Sequence, residues 1–401
     1  MYYVHRHAIY LLILLCALII IVDKNFDMRS QSGSIFFVDS TTVKKIRAEF
    51  ETAKKGGERI KVLIVPGHDK EAGGAVFKKV SELGLNLELG GKLEELFLTD
   101  TRFDVTLAQD SKGYNPMLQT YFTEKNDQIL EFRRQKHLGM YSIQKTGLVQ
   151  SNVQVQHNNA PGDTVTKLYG LNMWANENGI DLVIHIHFND TARKNVRSAG
   201  ENSGFALYIP DHQYSNAAVS KNIAQNVYVR LFDRFPQSDV PPEKDGILED
   251  QQLIGLGASN SLDAPSLFIE YAYIYEPQFQ SSVVRKLWLH EAALQTYLGI
   301  VDFFENRERG VGETAVLPYS WMQDLSMGIK NHPDVLALQI ALNLEGLYPP
   351  QGSTKNDCPL TGIFFECTKR AVKAFQKKYH LEASGIAERL TRAQLHILYG
   401  K

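Results

Sequence analysis

From Ala8 to Val22 the chain is apolar without a break or a charge, AIYLLILLCALIIIV, behind His5, Arg6 and His7. The run falls short of the ~20 residues that cross a bilayer comfortably and has the length of the apolar region of an export signal. No small-x-small cleavage site follows; the next residues are Asp23, Lys24, Asn25 and Phe26. Residues 1–24 are therefore read as a signal anchor, with a cleaved signal peptide as the alternative. Residues 25–58 are polar and mixed, with a charged helical stretch from Thr42 to Lys55, and predict a stalk. A strand is expected over Lys61–Val65, KVLIV, stopped by Pro66-Gly67. Val76, Val80, Leu83, Leu87, Leu93 and Leu96 recur at three- and four-residue spacings and predict a helix from about 76 to 97. Phe103–Leu107 reads as a second strand. Residues 110–165 have weak periodicity and many Gln and Asn, and predict a long irregular insertion. Beyond it come a helix over Leu168–Asn178, a buried strand DLVIHIHF over Asp181–Phe188 and a strand over Phe205–Ile209. A helix over Ala217–Phe232, a short strand SLFI over Ser266–Ile269 and a long amphipathic helix over Val283–Phe304 follow. Alternating strands and helices predict an α/β fold with a twisted, mostly parallel sheet flanked by helices. Gly310, Gly312, Pro318 and Gly328 mark 306–328 as a linker, and the last seventy or so residues as a separate small helical unit.

Composition removes several classes. The chain has 401 residues, 43 Lys and Arg against 45 Asp and Glu, a net charge of −2, and 44% hydrophobic residues. This is ordinary globular usage with enough chain for two domains. A charge so near zero excludes bulk electrostatic binding of nucleic acid, which needs a dense basic face. Three cysteines, Cys16, Cys358 and Cys367, are too few for a disulfide scaffold or a cysteine zinc cage. Cys358 and Cys367 flank one loop and are expected to pair in an exported protein.

Three of the apolar strands run into an ionisable residue. KVLIV leads to Pro66-Gly67-His68, DLVI to His185-Ile186-His187, and SLFI to Glu270. Ligands of open α/β sheets sit just outside the carboxyl ends of the strands. His185 and His187 share one face of their strand. Glu82 lies near the start of the helix after His68, with Asn86 one turn on. Two imidazoles and a carboxylate form the ligand set of a catalytic zinc, and a further carboxylate can serve as general base. A carboxylate ending an apolar strand is costly unless it has a partner or a task.

The order PGHDKEAGGA, Glu82-x-x-x-Asn86, DLVIHIHFND and APSLFIEYAYI resembles the zinc-dependent N-acetylmuramoyl-L-alanine amidases of bacterial cell walls. The resemblance covers about residues 60–303. It implies a phosphorylase/hydrolase-like fold, zinc (Zn2+) as cofactor, His68, Glu82 and His187 as its ligands, and Glu270 as the catalytic carboxylate. Gly204–Ile209, GFALYI, matches the family's GXXVYY strand. Departures are Val65 where Asp is usual, Asp69 for the second Gly, His185 for Ser, and Tyr271-Ala272-Tyr273 after the Glu. His185 stays open between a spare ligand, a substrate contact and a packed strand histidine. The 110–165 insertion is expected to act as a lid or inhibitory segment over the zinc.

The last unit reads DVLALQIALNLEGLY and TGIFFECTKRAVKAFQKKYHLEASGIAERLT. It is similar to three-helix peptidoglycan-binding domains, through Leu338-Gln339, Gly346, Gly362, Phe364, Thr368, Ala371-Val372, Phe375-Gln376, Gly385 and Thr391, with Phe365 where Gly is usual. The expected organisation is a zinc amidase domain over 59–305, a linker over 306–328 and a peptidoglycan-binding domain over 329–401. The expected activity is hydrolysis of the amide between N-acetylmuramic acid and L-alanine by a zinc-activated water. The expected location is the cell envelope, outside the cytoplasm, with a membrane held through residues 8–22. The alternatives are a non-catalytic wall-binding protein and a zinc peptidase cutting a stem-peptide bond.

Overall fold

The computed structural model describes residues 37–401 except 154, 156–159, 196, 308, 309 and 311. The apolar run 8–22 lies outside the described residues. Among those residues no helix is long and apolar enough to cross a membrane.

Six strands form the main sheet: β1 Ile60–Pro66, β2 Phe103–Leu107, β3 Leu182–Asn189, β4 Ala206–Pro210, β5 Ile247–Asp250 and β6 Ser266–Tyr273. Their order is β2-β1-β3-β6-β4-β5. The first four in that order run parallel. β4 is antiparallel to β6, and β5 is parallel to β4. The near-continuous apolar runs of β1, β3 and β6 follow from burial on both faces, as a parallel sheet under helices requires.

Helices α1 Val43–Ala53, α2 Glu82–Leu98, α3 Pro116–Glu124, α4 Asn126–Lys145, α5 Gly162–Glu177, α6 Ala217–Arg234 and α7 Ser282–Glu305 belong to this unit. α1, α2, α6 and α7 bury their apolar stripes with Val62, Ile64, Ile184 and Ile186 on one face. α5 covers Leu63, Val65 and Val183 on the other. Helix α1 falls in the expected stalk yet packs into the core. Phe50 is 0% exposed and its ring lies 5.7 Å from that of Phe103 and 4.9 Å from that of Phe304. A ring so removed from water contributes about 1.5–3 kcal/mol, enough to hold a short helix on the sheet. Just before it, Ser40 N donates to Ser215 O at 3.2 Å. That contact lies at the amino edge of the parallel strands, where Asn216 Nδ2 donates to Ala264 O.

The expected irregular insertion contains α3 and α4. Leu118, Phe122, Ile129 and Met140 are their buried residues, so each has a narrow apolar stripe among Gln, Lys, Arg and Glu, and the periodicity is weak. The two helices form an outer layer on α5. His137 Nε2 lies 2.6 Å from Tyr169 Oη, and Tyr121 Oη donates to Glu177 at 2.9 Å. The helix expected from residue 76 begins at Glu82. Val76–Phe77 and Val80–Ser81 instead make a small hairpin, and Ser81 caps α2 by accepting from Gly84 N at 3.2 Å.

The C-terminal unit has helices α8 Pro333–Leu344, α9 Glu366–Lys378 and α10 Arg389–Tyr399. Cys358 and Cys367 are disulfide-bonded. Residues 306–328, expected as a free linker, bury Val316, Trp321 and Leu325 in an apolar core shared by both units.

Candidate metal centre and active site

His68 follows β1, His187 lies near the end of β3, Glu270 lies in β6 and Glu82 opens α2, so all four meet at the carboxyl edge of the sheet. Glu82 Oε1 lies 2.8 Å from His68 Nε2 and 3.2 Å from His187 Nδ1. These three donor atoms lie within 4.8 Å of one another. Each is aimed by a partner of its own. His68 Nδ1 lies 3.0 Å from Ala72 O, which as its acceptor fixes the proton on Nδ1 and leaves Nε2 a lone pair. Glu82 Oε2 accepts from Ala75 N at 3.1 Å. Phe268 stacks on His187 with ring centroids 4.1 Å apart.

The loop between β1 and α2 explains why this stretch is rich in glycine. His68 itself has φ 66°, a left-handed conformation that costs a non-glycine residue about 1–2 kcal/mol. Asn86 Nδ2 holds the turn by donating to Gly67 O at 2.9 Å, and Gln109 Nε2 donates to Pro66 O at 2.6 Å and to His68 O. A Cβ on Gly67 would stand 2.1 Å from the His187 ring, and one on Gly74 would stand 2.5 Å from Glu82 Oε2. Asp69, where the resemblance expects Gly, accepts from Ala72 N at 2.8 Å and pairs with Lys167 at 3.2 Å.

Glu270 is the register partner of His187 across β3 and β6, so both present their side chains on one face. Its Oε2 is buried and has no hydrogen-bond partner among the described residues. Burial, then the charges of Glu82 and Glu243, hold its carboxyl well above the usual range. Glu243, from the turn Pro241–Glu243, accepts from Tyr208 Oη at 2.7 Å. His185 shares the face but lies two residues deeper, under Gly255 and Phe268, and is 2% exposed. Burial and the neighbouring His187 pull it down to about 3, so it is neutral at ordinary pH. His185 is thus buried in the strand layer, with its Nε2 lacking a hydrogen-bond partner among the described residues.

Burial alone would lower His68, but the hydrogen bond and charge of Glu82 outweigh it and raise His68 above 6.5. Burial alone would raise Glu82, but His187 and His68 outweigh it and pull its carboxyl down. A divalent ion needs the imidazole deprotonated. Zinc binding at low pH should therefore release a proton from His68, in an amount that falls as the pH rises, while Glu82, already ionised, releases none. Titration calorimetry in two buffers of different ionisation enthalpy measures that count. Zinc binding with no proton release at low pH would remove His68 from the ligand set.

Residues 62–302, well over half of the chain, match the family model described as N-acetylmuramoyl-L-alanine amidase. The chain belongs to that amidase family. Residues 331–395 match the model of a peptidoglycan binding domain. No curated protein matches the chain. Among solved structures, the amidase is similar to an N-acetylmuramoyl-L-alanine amidase from Clostridium difficile 630, at 16% identity and a TM-score of 0.39 over 62% of this chain and 99% of that one. It is also similar to amidase AmiC2 of Nostoc punctiforme, at 14% identity and a TM-score of 0.37 over 62% and 98%. The catalytic domain of CwlV from Bacillus (Paenibacillus) polymyxa var. colistinus is similar at 14% identity and a TM-score of 0.38, over 62% and 97%.

In the amidase the residues that sequence reasoning did not single out are Gln109, Phe268, Tyr208 and Glu243. Gln109 and Glu243 lie outside every motif and reach the site only through the fold. Tyr208 sits inside GFALYI and Phe268 inside SLFIE, where both read as ordinary strand apolar positions.

Proposed function

We propose that this amidase hydrolyses the bond between N-acetylmuramic acid and L-alanine with zinc held by His68, Glu82 and His187, and with Glu270 as general base. The observation that carries the reading is the convergence of His68 Nε2 and His187 Nδ1 on Glu82 Oε1, with Glu270 in register beside His187. Two imidazole nitrogens and a carboxylate oxygen, three ligands in all, suit zinc better than the all-oxygen preferences of magnesium or calcium. Bound there, zinc would supply Lewis acidity and a lowered pKa for an attacking water. Glu270 takes a proton from that water at Oε2 and returns it to the departing amine. Its orphaned oxygen favours that task. Phe268 excludes water from one face of His187 and keeps the ring in place.

We assign catalysis to residues 59–305 and wall binding to 329–401. The substrate lies in the cell envelope, which places the chain outside the cytoplasm, and the Cys358–Cys367 bond suits an oxidising compartment. Residues 8–22 are proposed as the membrane attachment.

Digestion of purified sacculi tests the activity. The products should be free L-alanine amines and muramic acid with an intact lactyl carboxyl, lost on chelation and restored by zinc. New amines within the stem peptide would mark a peptidase instead. Binding without any new amine would mark a non-catalytic wall protein.

A further inference from the structure

The two units are locked together by a buried polar junction. Glu291 of α7 is 0% exposed and accepts from Arg234 Nε at 3.1 Å, Thr314 Oγ1 at 2.7 Å and Ala315 N at 2.8 Å. Arg234 Nη1 donates onward to Asn343 of α8 at 3.0 Å. Buried charge is tolerated when its polar atoms are paired, and here the pairs cross from one unit to the other. Val335, Leu338 and Leu342 share an apolar core with Val284, Trp288 and Leu289.

The loop 354–360 of the C-terminal unit, which carries Cys358 of the Cys358–Cys367 bond, reaches residues next to Glu270. Pro359 and Leu360 line one small crevice together with Tyr271, Ala272, Phe235 and Trp288. Tyr271 and Ala272 directly follow Glu270 in β6. Asn356 Nδ2 donates to Gln237 O at 3.0 Å, and Lys355 Nζ stands 4.1 Å from the centre of the Phe232 ring. The segment they grip is bonded to the start of β4: Phe205 N donates to Pro236 O at 3.0 Å, and Ser238 N to Phe205 O at 2.8 Å. The next residue, Ala206, is the register partner of Glu270. One loop of the C-terminal unit therefore braces Glu270 along its own strand and across the neighbouring strand. Because Glu270 Oε2 has no hydrogen-bond partner among the described residues, the carboxylate is placed by the backbone beneath it.

We propose that the loop 354–360 is a positioning element for Glu270, so that the C-terminal unit serves turnover as well as attachment to the wall. The inference rests on the reading of Glu270 as the catalytic carboxylate. A displacement of about 1 Å at a reacting group can cost on the order of 10²-fold in rate.

The test uses the full chain and a soluble muramoyl-peptide too small to span both units, so that attachment to the wall adds nothing. Leu360→Ala combined with Asn356→Ala should lower kcat by about tenfold or more, with KM changed by less than about twofold. Zinc content and retention on sacculi should stay at the level of the parent chain. Leu360→Met, which conserves volume, should keep the parent kcat. If the double substitution lowers the melting temperature sharply, Asn356→Ala alone, on the exposed side of the loop, gives the same reading at smaller amplitude. Parent-level kcat in the double variant would overturn the proposal, as would a rise in KM with kcat unchanged. A parent chain that releases no amine from either substrate would instead overturn the amidase reading of the site.

Discussion

A Glu270→Gln chain should hold one zinc ion, fold normally and lose most of its turnover, by ~10²–10⁴. The substitution keeps the size of the side chain and leaves His68, Glu82 and His187 untouched. It removes a carboxylate whose Oε2 is buried without a hydrogen-bond partner among the described residues. The loss should fall on kcat, because the carboxylate acts as the proton moves in the transition state. His187→Ala should fail differently: it removes the Nδ1 donor beside Glu82, so zinc occupancy and activity should fall together. Metal content by atomic emission, read beside amine release from sacculi, separates the two outcomes. Normal turnover in Glu270→Gln would take Glu270 out of the mechanism. Loss of its zinc would make it a ligand.

Gly67→Ala should weaken zinc binding by about 10–100-fold without unfolding the protein. The backbone at Gly67 is not left-handed, so alanine is acceptable there on conformational grounds. The obstacle is space, since the new Cβ would stand 2.1 Å from the His187 ring. The ring must turn, and Phe268, stacked on its face, resists the turn. Gly91→Ala is the matched control. It lies in α2, where a Cβ meets nothing within 4 Å. It should leave zinc affinity unchanged and stabilise the helix by up to ~1 kcal/mol. Parent-level affinity in Gly67→Ala would mean that His187 has room to move and is not held for a ligand's role.

Much of the architecture was legible because a buried parallel strand leaves a plain trace. KVLIV, DLVIHIHF and SLFIE stand out as short apolar runs, and the observed β1, β3 and β6 lie on them. The insertion helices left a weaker trace, because an outer-layer helix buries few residues and the rest of its surface is free to be polar. The start of α2 was misplaced for a related reason. Val76 and Val80 fit the helical spacing by chance, while the actual signal was the cap at Ser81. At the site, residue type and order pointed to His68, Glu82, His187 and Glu270, and the fold gathers them at one edge. Depth was not legible. His185 and His187 share strand, face and residue type, yet one lies under Gly255 and the other meets Glu82. Gln109 and Glu243 were beyond reach because their contacts join segments distant in the chain.

The contact of Ser40 with Ser215 gives the molecule a back and a front. The described chain enters at the back, with Phe37 packed beside Met140, Val149 and Tyr214, and the four site residues stand at the front, one strand length away. Seven residues of β1 span about 23 Å. The four site residues therefore face away from the edge at which the described chain begins, by about the length of one strand.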